Sequence, residues 1–344
     1  MTTALSDSYD LVIFDLDGVV YLDRDPIPGA VDAINRLTTA GTPVAYVTNN
    51  ASRLAGEVAA LLRDLGVNAA EDEVVTSAHE SASVLATRLP AGAPVLVVGG
   101  PALRTEVTAV GLQAVSDASG SPAAVVQGYA RDIGWVHLAE ACVAVRAGAW
   151  WVATNADRTL PSPRGPLPGN GSLVAALATA LGRGPDLIVG KPSPDLFTTA
   201  ARRVGARHPL VVGDRIDTDV AGAVRTGFDA MLVLTGVSRP ADVIAAPDGS
   251  RPMWIAPDLE ALADSDLAAR VPVVSTPGSA VVSGGWTVRR TDAGLELAGE
   301  GSDVAALAGL AAAAWQAEDP PSVTPTGAPA AATLDRLGLA RSLG

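Results

Sequence analysis

Short apolar runs that alternate with segments of helical spacing are the feature of this sequence that most constrains its fold. A continuous apolar run of this length is typical of a strand buried on both faces of a parallel sheet. The runs are Leu11–Phe14, Val44–Val47, Val95–Val98, Leu187–Val189, Leu210–Val212 and Met231–Leu234. Strands that alternate with helices in this way predict an α/β fold with a doubly wound parallel sheet.

The segments between these runs carry apolar residues on one helical face, and several of them end at a glycine. The segment after the second run ends at Gly66, and later ones end at Gly205 and Gly227. Glycine just beyond an apolar periodic segment is typical of a left-handed helix C-cap. We therefore expect a helix in each of these segments.

Composition excludes several classes of protein. The 344 residues carry a net charge of −13, from 24 basic and 37 acidic side chains. An acidic chain repels nucleic acid and anionic membrane surfaces, so we expect neither as a partner. Hydrophobic residues make up 48% of the chain, which excludes intrinsic disorder. Cys142 is the single cysteine, so an intrachain disulfide and a cysteine-ligated zinc site are excluded.

Targeting and membrane signals do not stand out in the sequence. The first ten residues lack the basic start and apolar stretch of a signal peptide. The longest apolar run, Val304–Trp315, is too short to span a bilayer. We expect a soluble, cytoplasmic protein.

Polar residues follow four of the predicted strands directly. In parallel sheets, ligands bind outside the carboxyl ends of the strands. Each cluster alone has a plain structural explanation, because aspartates form turns, asparagines cap helices and most lysines are solvated. Their placement at the ends of strands of one sheet favours a shared site. The clusters are Asp15-Leu16-Asp17-Gly18, Thr48-Asn49-Asn50, Gly190-Lys191-Pro192 and Gly213-Asp214 with the following residues to Asp219.

These residue types suit phosphoryl transfer. Three carboxylates at one sheet edge, those of Asp15, Asp17 and Asp214, repel each other unless a hard cation such as Mg²⁺ binds between them. One carboxylate can attack phosphorus and form an acyl phosphate. A second acid can protonate the leaving oxygen and then deprotonate water. A lysine and amide donors can hold the remaining phosphate oxygens as charge spreads over them.

With these motifs in this order, the sequence resembles the haloacid dehalogenase-like (HAD) superfamily of aspartate-nucleophile phosphatases over residues 8–265. The resemblance implies that Asp15 is the nucleophile and Asp17 the general acid and base. It implies a Mg²⁺ site formed by the carboxylates of Asp15 and Asp214 and the backbone carbonyl of Asp17, with Asp219 supporting the metal's waters. Phosphate binding falls to Thr48, Asn49 and Lys191.

Two further features place the chain within that superfamily. An acid at position 17 is found in its phosphatases and mutases and is missing from its dehalogenases. The chain between Asp17 and the next proline is too short for a helical cap, which argues against a mutase. The insertion lies between the second and third motifs instead, as in the p-nitrophenylphosphatase, phosphoglycolate phosphatase and NagD-like branch. We therefore expect a Rossmann-like core of residues 1–77 and 187–265 and an α/β cap of residues 78–186.

The cap is expected to choose the leaving group, because it closes over the active site in this branch. Asn155, Asp157 and the loop Pro161–Gly171, including Gly169 and Asn170, are the candidates for contact with substrate. The alternative is that the Asn155–Asp157 segment is only a loop brace.

Residues 266–344 lie outside the phosphatase resemblance and are predicted to form a small α+β appendage. They resemble a truncated acetyltransferase. Without a glycine-rich pyrophosphate loop, we expect them to pack against the core or to stabilise an oligomer, rather than to transfer acetyl groups. A homodimer would form through the cap or through this appendage.

The resemblance also suggests a substrate. Relatives of actinobacterial type carry such an appendage and act on glycerol 3-phosphate, so that small phosphorylated metabolite is the expected substrate. The alternatives are phosphoglycolate and a broad range that includes p-nitrophenyl phosphate and sugar phosphates. A different class of function, a non-catalytic protein that binds phosphorylated metabolites, is disfavoured by the intact set of Asp15, Asp17, Lys191 and Asp214.

Overall fold

The computed structural model describes residues 4–23, 25–160, 164–276, 278–317 and 322–340. The chain divides into two compact units, the first formed by Met1–Val44 with Val204–Gly344 and the second by Ala45–Arg203. Within the described residues, none of the helices is long and apolar enough to cross a membrane.

The structure is mixed α/β, as predicted, with most of the expected strands and helices present within a few residues of their predicted ends. The strands are β1 (Leu11–Phe14), β2 (Tyr21–Leu22), β3 (Asp25–Pro26), β4 (Val44–Thr48), β5 (Val74–Thr76), β6 (Pro94–Val98), β7 (Gln113–Val115), β8 (Ala124–Gln127), β9 (Trp150–Ala153), β10 (Thr159–Leu160), β11 (Leu167–Pro168), β12 (Leu187–Ile188), β13 (Pro209–Gly213), β14 (Asp229–Val233), β15 (Trp254–Ala256), β16 (Ala269–Arg270), β17 (Val281–Ser283), β18 (Trp286–Thr291), β19 (Gly294–Gly299) and β20 (Val323–Thr326). The helices are α1 (Ala30–Thr39), α2 (Ala55–Asp64), α3 (Ser77–Arg88), α4 (Pro101–Ala109), α5 (Trp135–Arg146), α6 (Asn170–Leu181), α7 (Asp195–Val204), α8 (Ala221–Thr226), α9 (Pro240–Ile244), α10 (Asp303–Ala314) and α11 (Ala328–Arg336).

The first unit is built on the strand order β16-β15-β14-β13-β1. The pairs β1–β13, β13–β14 and β14–β15 are parallel, whereas the edge pair β15–β16 is antiparallel. Every residue of β1 and β13 is buried, which explains why both strands are continuous apolar runs in the sequence. The carboxyl ends of these strands therefore open at one edge of the sheet.

The second unit contains a five-stranded parallel sheet in the order β12-β9-β8-β6-β7. Its core surrounds the fully buried Trp151. The strand expected at Leu187–Val189 is shorter, only partly buried, and pairs with β9 at the edge of this sheet. The prediction that all four polar clusters follow strands of one sheet is therefore wrong for Gly190-Lys191-Pro192, which follows β12. The second unit also contains the parallel pair β4–β5.

The C-terminal segment packs within the first unit. Strands β17-β18-β19-β20 form a sheet. Helix α10 contacts β17, β18 and β19 of this sheet, and it also contacts α9, β15 and β16. All residues of α10 from Val304 to Ala314 are buried, so its sequence is apolar on every side. The Trp315 indole N–H donates to the carbonyl oxygen of Val243 at 3.0 Å, which fixes the end of the helix. Residues 318–321, which follow α10 along the chain, lie outside the described residues.

Because α10 contacts both the C-terminal sheet and strands β15 and β16 of the larger sheet, we predict that Leu310→Ala destabilises the whole first unit. Leu310 is fully buried, and removing such a side chain costs about 2–5 kcal/mol of unfolding free energy. Urea unfolding of the full chain measures the change. Val282→Ala in β17 is the control, since Val282 is 68% exposed, and it should change stability by less than about 0.5 kcal/mol. Equal stability of the two variants would contradict the packing described for α10.

Candidate active site

The nucleophile expected from the sequence follows β1. The backbone N–H of Asp15 donates to the carbonyl oxygen of Val212 at 2.9 Å and so extends the β1–β13 pairing by one residue. Asp15 is buried, whereas Asp17 is exposed. Gly18 then turns the chain with a φ of 87°, a conformation that glycine adopts without strain. The carboxylate of Asp15 before the turn is therefore enclosed, whereas that of Asp17 is in contact with solvent.

Asp214 and Asp219 follow β13 in the same unit. Asp214 is enclosed by glycine backbone, because a Cβ at Gly18 would lie 2.6 Å from its Oδ2 atom and one at Gly236 only 2.0 Å from it. The N–H of Val237 donates to that oxygen at 2.6 Å. Asp219 lies in the turn Ile216–Val220. The glycines are therefore required by the close approach of the backbone to the carboxylate.

Three carboxylates meet at this edge of the sheet. Asp15, Asp214 and Asp219 are buried, and one oxygen of each lies within 4.8 Å of the others. Mg²⁺ binds oxygen ligands at about 2.0–2.1 Å, so ligand oxygens on opposite sides of the ion are about 4.2 Å apart. The donor set and its spacing fit a magnesium ion. Asp219, expected only to support the metal's waters, lies within this cluster.

The residues expected to bind phosphate lie in the second unit. At the end of β4, the hydroxyl oxygen of Thr48 accepts a hydrogen bond from the N–H of Asn50 at 3.1 Å. The carbonyl oxygen of Asn49 accepts from the hydroxyl of Ser77 at 2.6 Å and from the side-chain amide of Asn155 at 2.7 Å. The sequence motifs do not include Ser77, although it follows β5 directly, as the other polar residues follow their strands.

Lys191 is held by the side chain of Asn49. The N–H of Lys191 donates to Asn49 Oδ1 at 2.7 Å, and Asn49 Nδ2 donates to the carbonyl oxygen of Lys191 at 3.1 Å. Lys191 is only 3% exposed. Gly190 allows this contact, since a Cβ there would lie 2.6 Å from Asn49 Oδ1. The structure thus brings Thr48, Asn49 and Lys191 together, with the Asn49 amide bonded to protein atoms.

The cap candidates Asn155, Asp157, Gly169 and Asn170 also come together in the second unit. Asn49 Nδ2 donates to Asp157 Oδ2 at 3.1 Å. Asn170 Nδ2 donates to the carbonyl oxygen of Asn155 at 2.8 Å. The N–H of Gly169 donates to the carbonyl oxygen of Arg158 at 2.9 Å. These bonds fix the turn after β9. Residues 161–163 of the predicted substrate loop lie outside the described residues.

Family models match three parts of the chain. A haloacid dehalogenase-like hydrolase model matches residues 12–113, and a second HAD hydrolase-like model matches residues 188–262. A GCN5-related N-acetyltransferase like domain model matches residues 283–339. The last match agrees with the acetyltransferase resemblance of the predicted appendage.

Relatives match over nearly the whole chain. The D-glycerol 3-phosphate phosphatase of Mycobacterium tuberculosis is 45% identical over 319 residues, which cover 91% of this chain and 88% of the relative. The crystal structure of the glycerol phosphate phosphatase of Mycobacterium tuberculosis in complex with magnesium has a TM-score of 0.89 at 42% identity, covering 98% of this chain and 100% of that one. The 4-nitrophenylphosphatase of Thermotoga maritima has a TM-score of 0.69 at 33% identity, covering 75% of this chain and 98% of that one. The chain belongs to the haloacid dehalogenase-like hydrolase family, as the four motifs indicate.

We predict that Asp219→Asn removes the stabilisation that magnesium gives to this unit. A ligand that binds only the folded state stabilises it by about 2.7 kcal/mol at 100 times its dissociation constant. Thermal unfolding with and without MgCl₂ measures this increment. Losing one carboxylate also relieves repulsion, so the variant in EDTA should be at least as stable as the wild type.

Asp217→Asn is the matched control, because Asp217 lies in the same turn but pairs with Arg215 at 2.8 Å and is 69% exposed. It should keep the magnesium increment. A wild-type increment in Asp219→Asn would show that magnesium binding does not require Asp219.

Proposed function

We propose that this protein is a Mg²⁺-dependent phosphomonoester phosphatase that works through a phospho-aspartate at Asp15, with glycerol 3-phosphate as substrate. The buried cluster of Asp15, Asp214 and Asp219 carries the proposal, because it combines a nucleophile with a site suited to a divalent cation. Membership of a family whose matched relatives are phosphatases supports the reaction class, a phosphoric monoester hydrolysis. The 45% identity to a D-glycerol 3-phosphate phosphatase supports the substrate.

In the first step, a carboxylate oxygen of Asp15 attacks phosphorus, and the bond from phosphorus to the ester oxygen breaks. Burial of Asp15 favours this attack, because it keeps competing water away from the nucleophile. The turn at Gly18 and the backbone hydrogen bond to Val212 hold the carboxylate in place. The reaction thereby splits one difficult displacement into two easier ones.

Asp17 moves the protons. It gives its proton to the leaving alcohol oxygen in the first step, and in the second it takes a proton from the water that attacks the phospho-aspartate. Its exposure allows exchange of that proton with solvent between turnovers. The bond between phosphorus and Asp15 then breaks, which releases phosphate and restores both carboxyl groups.

Thr48, Asn49 and Lys191 bind the phosphoryl oxygens in this proposal. The Thr48 hydroxyl accepts from the N–H of Asn50, so its own hydrogen can be donated to a phosphate oxygen. The Asn49 side chain is bonded to Lys191, and its backbone N–H is the group that we assign to phosphate. The Lys191 ammonium offsets the negative charge that spreads over these oxygens.

Magnesium is the proposed cofactor. Asp15, Asp214 and the backbone carbonyl of Asp17 would hold it, with Asp219 at the same cluster. When bound, the ion offsets the charge of the carboxylates and of the phosphoryl group. Asp214 and Asp219 are oriented for this by backbone donors, the N–H groups of Val237 and Arg215.

The remaining features of the proposal concern the organisation of the chain. The core of residues 1–77 and 187–265, the cap of residues 78–186 and the appendage of residues 266–344 stay predictions. Contact with substrate also stays a prediction for the cap residues Asn155, Asp157, Gly169 and Asn170. A homodimer through the cap or appendage and a cytoplasmic location are predictions as well. Similarity to a 4-nitrophenylphosphatase favours a broader range of small phosphomonoesters as the second candidate.

Phosphate release from a panel of small phosphomonoesters, with MgCl₂ or with EDTA, tests the proposal. We expect magnesium-dependent release, fastest from glycerol 3-phosphate. Asp15→Asn should lower kcat by at least about 10³-fold, because it removes the nucleophile. Release that is independent of metal, or equal in Asp15→Asn, would contradict the mechanism. Faster release from p-nitrophenyl phosphate or phosphoglycolate would reassign the substrate.

A further inference from the structure

The oxygen and the nitrogen of the Asn49 side-chain amide are both hydrogen-bonded to other residues, Lys191 and Asp157. Its oxygen accepts from the N–H of Lys191, and one N–H donates to the carbonyl oxygen of Lys191. The second N–H points at the carboxylate of Asp157, at 3.1 Å from Oδ2 and 3.4 Å from Oδ1. An asparagine amide has two N–H donors, and both are bonded here.

Lys191 therefore depends on Asn49 for its position. Both polar groups of the Lys191 backbone are bonded to the same amide, so the start of its side chain is fixed relative to the end of β4. A rotation of the Asn49 amide by 180° would place oxygen against oxygen and N–H against N–H, and both bonds would be lost. Any group that fixes the orientation of this amide also fixes Lys191.

Asp157 is well placed to fix the orientation of the Asn49 amide. A carboxylate accepts more strongly than a neutral oxygen and cannot donate, so it holds only the nitrogen side of the amide. Its own backbone is fixed, because the Asp157 N–H donates to Asn155 Oδ1 at 3.2 Å and its carbonyl oxygen accepts from the N–H of Gly171 at 2.8 Å. A Cβ at Gly171 would lie 2.9 Å from the Asp157 carbonyl carbon. Only glycine at position 171 therefore allows this close packing against the Asp157 backbone.

We infer that Asp157 is a positioning residue of the phosphatase, whose carboxylate orients the Asn49 amide and through it the backbone of Lys191. This inference rests on the proposed function, in which Lys191 binds the phosphoryl group. It assigns Asp157 to the phosphoryl end of the reaction, in place of the contact with the leaving group that the sequence predicts for this residue. Loss of Asp157 should therefore slow every phosphomonoester by the same factor.

Steady-state kinetics of Asp157→Ala and Asp157→Asn with glycerol 3-phosphate and p-nitrophenyl phosphate test this role. Loss of a residue that orients a metal ligand costs about 10- to 100-fold in metal affinity or activity. By analogy, we expect kcat of Asp157→Ala to fall about tenfold for both substrates, with a similar KM. Asp157→Asn keeps an acceptor oxygen for Asn49 Nδ2 and should stay within about threefold of wild type.

Coupling to Asn49 gives a second readout. If Asp157 acts only through Asn49, the double variant Asn49→Ala/Asp157→Ala should be no slower than Asn49→Ala alone, since contacting residues are not additive. Asp72→Ala, an exposed aspartate of the same unit, is the control and should keep wild-type kcat. Thermal unfolding of each variant verifies that it is folded.

Three results would overturn the role of Asp157. One is wild-type kcat in folded Asp157→Ala, and another is additive losses in the double variant. The third is a raised KM for glycerol 3-phosphate alone, which would place Asp157 at the leaving group. Absence of hydrolysis by the wild-type chain would overturn the proposed function itself, so the two failures are distinguishable.

Discussion

Repulsion among buried carboxylates is the constraint on which the first unit depends. Asp15, Asp214 and Asp219 lie within 4.8 Å of one another and out of water, an arrangement in which each ionised group disfavours the others. Backbone donors hold Asp214 and Asp219 there, and close glycines enclose Asp214. In the proposed function a magnesium ion bound at the cluster offsets this repulsion, so we expect the first unit to be less stable without the ion than with it.

The second unit holds one lysine, Lys191, in position. Lys191 follows a two-residue edge strand, β12, and so short a strand is not enough to fix the position of the lysine. Its backbone is bonded to the Asn49 amide, and that amide is bonded to Asp157 from the turn after β9. The lysine is thus positioned by residues from three separate segments of the chain.

The sequence predicts those parts of the molecule that depend on local patterns. β1 and β13 are recognisable because burial on both faces makes them apolar throughout, and Asp15 and Asp214 are recognisable because they follow these strands. The Asn49–Asp157 bond joins residues 108 positions apart, and no spacing rule predicts it. Sheet membership of β12 and the packing of Gly236 against Asp214 depend in the same way on tertiary contacts. Helix α10 is predictable only in part. Its apolar sequence predicts that the helix is buried, but it does not predict which elements pack against it.

In the proposed mechanism Asp15 takes the phosphoryl group and Asp17 moves the protons, and Asp17→Asn separates the two roles. p-Nitrophenolate leaves without a proton, so this variant should still phosphorylate Asp15 but hydrolyse the product slowly, because no base activates water. Rapid mixing with p-nitrophenyl phosphate and MgCl₂ should give a burst of about one p-nitrophenolate per chain. Mass spectrometry should find the phosphoryl group, about 80 Da, on the peptide containing Asp15. Steady hydrolysis without a burst, or a phosphoryl group on another residue, would contradict the account.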